Sequence, residues 1–121
     1  ITVKKLWISI NIKEYWINWI QRKYIQKNFK ENTKNGIKLI AFTAPWCGFC
    51  QKQKPVLEEI AQNDIWIGDI NADENPTLVR QFSISAFPSF VLLKDGKSIG
   101  EFVGYRTKYD LLNTVLKFIG Q

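Results

Sequence analysis

Ile37-Lys38-Leu39-Ile40-Ala41-Phe42 runs, through Thr43, straight into Ala44-Pro45-Trp46-Cys47-Gly48-Phe49-Cys50, and these two thiols are the only cysteines in the chain. The apolar run is short and flanked by turn residues, so it reads as a strand buried on both faces. Beyond Cys50, Val56, Leu57, Ile60 and Ala61 recur at helical spacing up to Gln62, with Pro55 inside that helix as a kink. The pair of cysteines therefore sits where a strand hands over to a helix.

Three uses of such a pair can be weighed. A structural zinc site takes four ligands, mostly Cys and His, and the chain has two Cys and no His. A structural disulfide across so small a loop removes little unfolded-state entropy, less than the ~3 kcal/mol expected for fifteen residues. A redox dithiol is the reading that remains, and a C-x-x-C at a strand-to-helix junction is its known sequence sign. Cys47 falls at the first turn of the helix, where unpaired N–H groups and the positive end of the dipole favour a thiolate, and we read it as the nucleophile. Cys50, one turn further along the same face and more shielded, is the resolving thiol. Gly48 lets a partner backbone approach, Phe49 tunes potential and surface, and Trp46 belongs to a docking surface, with packing as its alternative role.

The rest of the chain gives helix, strand, helix, strand, helix, hairpin, helix. Asn11 and Glu14 form a capping-box pattern, and Ile12, Tyr15, Trp16, Trp19 and Ile20 predict a first helix from about residue 12 to the low thirties, ended by Asn35-Gly36. A strand at Val3 to Ile8 can precede it. Asp64 to Asn71 predicts a second strand. Asn75-Pro76 opens a helix with Asn as N-cap. Phe90 to Leu93, the turn Asp95-Gly96 and Ile99 to Val103 predict an antiparallel hairpin. A last helix starts at Thr107 and buries Leu111, Leu112, Val115, Leu116 and Ile119. This order implies an α/β fold, a central mixed β-sheet flanked by helices on both faces.

At 121 residues, with 45% hydrophobic residues, eight Phe, five Trp and four Tyr, the chain is globular and sized for a single domain, 1–121. Seventeen Lys and Arg against eleven Asp and Glu give a net charge of +6. These charges are scattered, so we read them as solvated faces and expect no nucleic-acid partner. No apolar run approaches the roughly 18 residues of a membrane span. Trp7, Trp16 and Trp19 beside Arg22, Lys23, Lys27 and Lys30 suit either core packing, which we prefer, or a membrane surface. The chain contains no methionine. We therefore expect processing or a membrane tether upstream of residue 1 and a periplasmic or other extracytoplasmic location, with the cytoplasm as the alternative.

The matched positions taken together resemble the thioredoxin superfamily over residues 37 to 119. They are Ala44 to Cys50, Pro55, Phe87-Pro88-Ser89, Lys94-Asp95-Gly96 and Gly104. The motif and Gly104-Tyr105-Arg106-Thr107 also resemble the catalytic modules of protein disulfide isomerases. The resemblance implies a thioredoxin fold, with 1–36 as an N-terminal strand and helix segment and 37–121 as the core. It also implies a cis peptide bond before Pro88, facing the thiols, and a Phe87 backbone that pairs with an extended substrate segment.

Three positions depart from that pattern. Phe49 stands where thioredoxins have Pro and the isomerases have His. Ala41 replaces a buried acid, and Asp69 replaces a lysine on the neighbouring strand. We expect Asp69 to supply the missing carboxylate as a proton relay for Cys50, the alternative being an exposed Asp at a strand end.

The function expected from all this is thiol–disulfide exchange with protein substrates through Cys47 and Cys50, without a bound cofactor or metal. The enzyme would work as a monomer, with a reductase or oxidase as redox partner. The alternatives are a thioredoxin-fold peptide-binding or chaperone module with little turnover, and a glutaredoxin-like protein.

Overall fold

The structure, a computed structural model, describes residues 29–30, 33–61 and 65–120. Among these residues four strands form one sheet in the order β2-β1-β3-β4. They are β1 (Ile37–Thr43), β2 (Trp66–Asn71), β3 (Ser89–Lys94) and β4 (Lys97–Val103). β1 pairs parallel with β2 and antiparallel with β3, and β3 pairs antiparallel with β4. This is why Leu39 to Phe42 is apolar throughout: with a neighbour on each edge and helices above and below, these four residues have no face left for water.

Side chains alternate across the sheet and divide the core in two. Leu39 and Ala41 of β1 join Ile67, Phe90, Leu92 and Phe102 on one face, against Leu57 and Ile60 of α1 (Gly48–Ala61) and Leu111 and Val115 of α3 (Lys108–Ile119). Ile40 and Phe42 turn the other way and meet Ile70, Val91, Leu93, Phe29 and Leu78, the last from α2 (Pro76–Gln81). Burying each such side chain contributes about 1.5–3 kcal/mol. That matters most for α2, whose six residues fall well short of the ~12 at which an isolated helix becomes even marginal. Leu78, 4% exposed, holds it to the sheet.

The hairpin forms as expected. Asp95 and Gly96 both take positive φ, +51° and +86°, the type I′ geometry that follows the twist of the strands. Asp95 also ties the turn to the start of β1: its Oδ1 accepts from Gly36 N at 2.7 Å, and its N donates to Gly36 O at 3.0 Å. Thr107 caps α3 by accepting from Asp110 N at 3.3 Å.

Two local expectations are corrected. Asn75 occupies the N-cap position of α2, but its side chain makes no cap hydrogen bond; Nδ2 instead donates to Asn71 O at 2.8 Å. The tight turn Ala72–Glu74 that precedes it is closed by Asn75 N donating to Ala72 O at 3.2 Å, which brings the Asn71 carbonyl within reach of Nδ2. In α3, Leu116 and Ile119 are exposed rather than buried. Leu116 lies five residues from Leu111, on the far side of the helix, and Ile119 is the helix's last residue. The expected strand at Val3 to Ile8, and the first helix apart from Phe29, Lys30 and Thr33, lie outside the described residues.

Candidate active site

The chain leaves β1 at Thr43 and turns through Ala44-Pro45-Trp46, closed by Cys47 N donating to Ala44 O at 3.1 Å. Helix α1 begins at the next residue, Gly48. Cys47 is therefore the N-cap: its carbonyl accepts the first helical bond, from Gln51 N at 3.2 Å. Its sulfur accepts a second, from Cys50 N at 3.2 Å. A sulfur here takes the place that a Ser or Asp oxygen fills at other helix starts.

The two thiols differ in access. Cys47 is 7% exposed and Cys50 is completely buried, and neither is in a disulfide. Burial pushes the Cys50 thiol up to about 12. The hydrogen bond to the Cys47 sulfur adds to that rise, the Ala44 backbone opposes it, and negative charge at Cys47 and Asp69 adds further.

Around the sulfurs, Ala44, Cys47 and Cys50 form a small cluster with Phe87 packed against it. The Phe87–Pro88 bond is cis, and Pro88 O accepts from Gly104 N at 2.8 Å. Trp46 meets the Phe87 ring edge-on at 5.5 Å between centroids and donates from Nε1 to Asp73 Oδ1 at 3.4 Å. Trp46 and Phe49 are 68% and 63% exposed. Two large aromatic rings in water beside a nearly buried sulfur is an arrangement that core packing does not explain. A Cβ added at Gly48 would meet nothing within 4 Å, so this side of the dithiol is open.

Asp69 faces the same side of the sheet as Ala41, its direct partner in register. It is a half-buried group with two partners: Oδ1 accepts from Thr43 Oγ1 at 2.8 Å, and Oδ2 lies 3.5 Å from Lys54 Nζ. Neither Thr43 nor Lys54 stood out in the sequence. Lys54 had a signal, since it lies four residues after Cys50 and so on the same helix face. Thr43 had none, because only strand pairing places it beside Asp69. Among the described residues no group of three His, Cys, Asp or Glu side chains is placed to hold a metal ion.

Comparison with known proteins agrees with this geometry. The Thioredoxin family profile matches residues 21–117, starting well before residue 37. The thioredoxin of Staphylococcus haemolyticus is 36% identical over 100 residues, 80% of this chain and 96% of that protein. The thioredoxin of Chlamydia trachomatis is 36% identical over 76% of this chain and 92% of its own length. Among solved structures, a mutant thioredoxin from Halobacterium salinarum superposes with a TM-score of 0.71 at 30% identity, covering 77% of this chain and 84% of that one. Reduced thioredoxin from Schistosoma mansoni gives 0.69 at 28% identity, covering 76% and 88%. Neither a peptide holder with little turnover nor a glutaredoxin is favoured by these relatives. With its Cys47–Cys50 dithiol at the start of α1, the chain belongs to the thioredoxin family and is a protein thiol–disulfide oxidoreductase.

Proposed function

We propose that Cys47 attacks the substrate and Cys50 resolves the adduct, so that the reduced dithiol transfers two electrons to a protein disulfide. The Cys47 thiolate attacks one sulfur of the substrate disulfide, the other sulfur leaves as a thiolate, and a mixed disulfide forms on Cys47. Cys50 then loses its proton and attacks the Cys47 sulfur, the second substrate sulfur departs, and the Cys47–Cys50 disulfide remains. A reductase restores the dithiol. The observation that carries this order is the hydrogen bond from Cys50 N to Cys47 Sγ, at 3.2 Å, at the positive end of a fourteen-residue helix. A negative sulfur gains there from both the N–H and the dipole, whereas Cys50 has no exposed surface for an incoming substrate.

Asp69 is the proton acceptor for Cys50 in this reading, directly or through one water. Its negative charge already disfavours a Cys50 thiolate. Taking the proton as the new S–S bond forms removes that repulsion. Trp46, Gly48 and Phe49 form the docking rim, and the Phe87 backbone ahead of Pro88 pairs with an extended substrate segment. The whole chain, 1–121, works as one thioredoxin-like domain.

Insulin reduction tests the assignment. Cys47→Ser is expected to abolish turnover, and Cys50→Ser to stop after the first covalent step. Full turnover by Cys47→Ser would overturn it.

A further inference from the structure

A buried amide ties the dithiol helix to the loop that follows β4. Gln53, three residues after Cys50 in α1, has no exposed surface. Its Nε2 donates to Arg106 O at 3.0 Å, and its Oε1 accepts from Arg106 N at 2.8 Å. One side chain thus pairs both main-chain groups of one loop residue, as a neighbouring strand would. Packing alone would favour an apolar residue at this position, because an amide buried without partners loses its hydrogen bonds to water and gains none in return. Among the described residues this amide finds its partners only in the loop.

The loop is fastened at other points too. Arg106 lays its guanidinium over the Phe102 ring at 4.7 Å and donates from Nη1 to Thr114 Oγ1 at 3.0 Å. Lys52 Nζ sits 4.8 Å from the Tyr105 ring centroid. The loop's first residue, Gly104, donates from its N to Pro88 O, has φ +100°, and faces open space where a Cβ would stand. Bare backbone at Gly104 therefore lies beside Pro88, and Gln53 fixes where that backbone stands relative to the sulfurs.

We propose that Gln53 is a positioning residue for protein substrates: its amide clamps the loop Gly104–Thr107 to the dithiol helix and so holds one wall of the groove beside Pro88. The inference rests on the reading that substrates dock in that groove. A small disulfide, which needs only the Cys47 sulfur, depends far less on the wall.

The test compares Gln53→Leu with the parent protein on insulin and on bis(2-hydroxyethyl) disulfide, with hydrogen exchange read at the Arg106 amide. The expected result is a KM for insulin raised roughly fivefold or more, with kcat and the small-disulfide rate changing far less. The Arg106 amide is expected to lose protection. Gln53→Glu, which keeps the acceptor for Arg106 N, is expected to fall between, and it carries the test if the leucine variant does not fold. An unchanged insulin KM once the Arg106 amide exchanges freely, or equal losses on both substrates, overturns the proposal. Trp46→Ala separates the two levels. If it raises the insulin KM and the Gln53 variants do not, docking stands and the clamp fails; if neither does, the docking reading fails and the clamp falls with it.

Discussion

Cys50 N donates to Cys47 Sγ at 3.2 Å, so the second cysteine of the motif holds the sulfur of the first at the helix start. The same sequence spacing gives one thiol a trace of exposed surface and the other none.

Burial sets Cys50 at about 12 against an ordinary value of 9.0, so in the reduced protein it stays a thiol across the physiological range. Iodoacetamide labelling followed by peptide mapping is expected to modify Cys47 alone near neutrality, with Cys50 adducts rising only as pH approaches 12. The same shift has a sign for stability. Between about 9 and 12 the unfolded chain loses this proton while the folded one keeps it, so Cys50's contribution to stability is present below 9 and is lost on the way to 12. The urea midpoint of the reduced protein should therefore fall more steeply over that window than that of Cys50→Ser.

Asp69 adds to the rise at Cys50 through its charge. Asp69→Asn is expected to bring the onset of Cys50 labelling to lower pH, yet to slow Cys50-dependent resolution, as the proposed relay requires. Stopped-flow resolution rates unchanged across pH would rule out the relay.

The last turn of α2 carries a scaffold prediction. Ile84 N donates to Val79 O at 2.9 Å and Ser83 N to Arg80 O at 3.1 Å, the paired bonds of a Schellman end, with Ser83 at φ +54° where glycine usually stands. The left-handed region costs a residue with a Cβ about 1–2 kcal/mol, offset by ~0.4–1 kcal/mol for the looser unfolded chain that glycine brings. Ser83→Gly should stabilise by about 0.5–1 kcal/mol, read as a Tm a few degrees higher.

Gly100 carries the opposite prediction. A Cβ there would fall 2.5–2.7 Å from ring carbons of Phe118, so α3 can sit on β4 only because this residue has no side chain. Gly100→Ala should cost about 1–3 kcal/mol in urea unfolding through overpacking.

How much of this was legible in the sequence depended on whether a signal was local. The β1 run, the Asp95-Gly96 turn and the Thr107 cap each announce themselves within a few residues, and all three appear where expected. The dithiol was legible because strand, turn and helix start are contiguous. Asp69 was visible only as a departure from a resembled pattern; its bonds to Thr43 and Lys54 come from strand register and helix phase. Gln53 was illegible, since a polar residue in an amphipathic helix normally faces water, and its partner is the main chain 53 residues away. Asn75 misled for a related reason: it has the right residue type for a cap, but its side chain serves as a donor to Asn71 O instead of accepting from the helix.

The most direct test of the account is covalent trapping. Cys50→Ser and Cys47→Ser proteins are mixed separately with a protein disulfide, and the products are examined by non-reducing mass spectrometry. A stable one-to-one mixed disulfide through Cys47 in the Cys50→Ser protein, and none in the Cys47→Ser protein, is the predicted result. An adduct formed through Cys50 in the Cys47→Ser protein, or none in either, would contradict it.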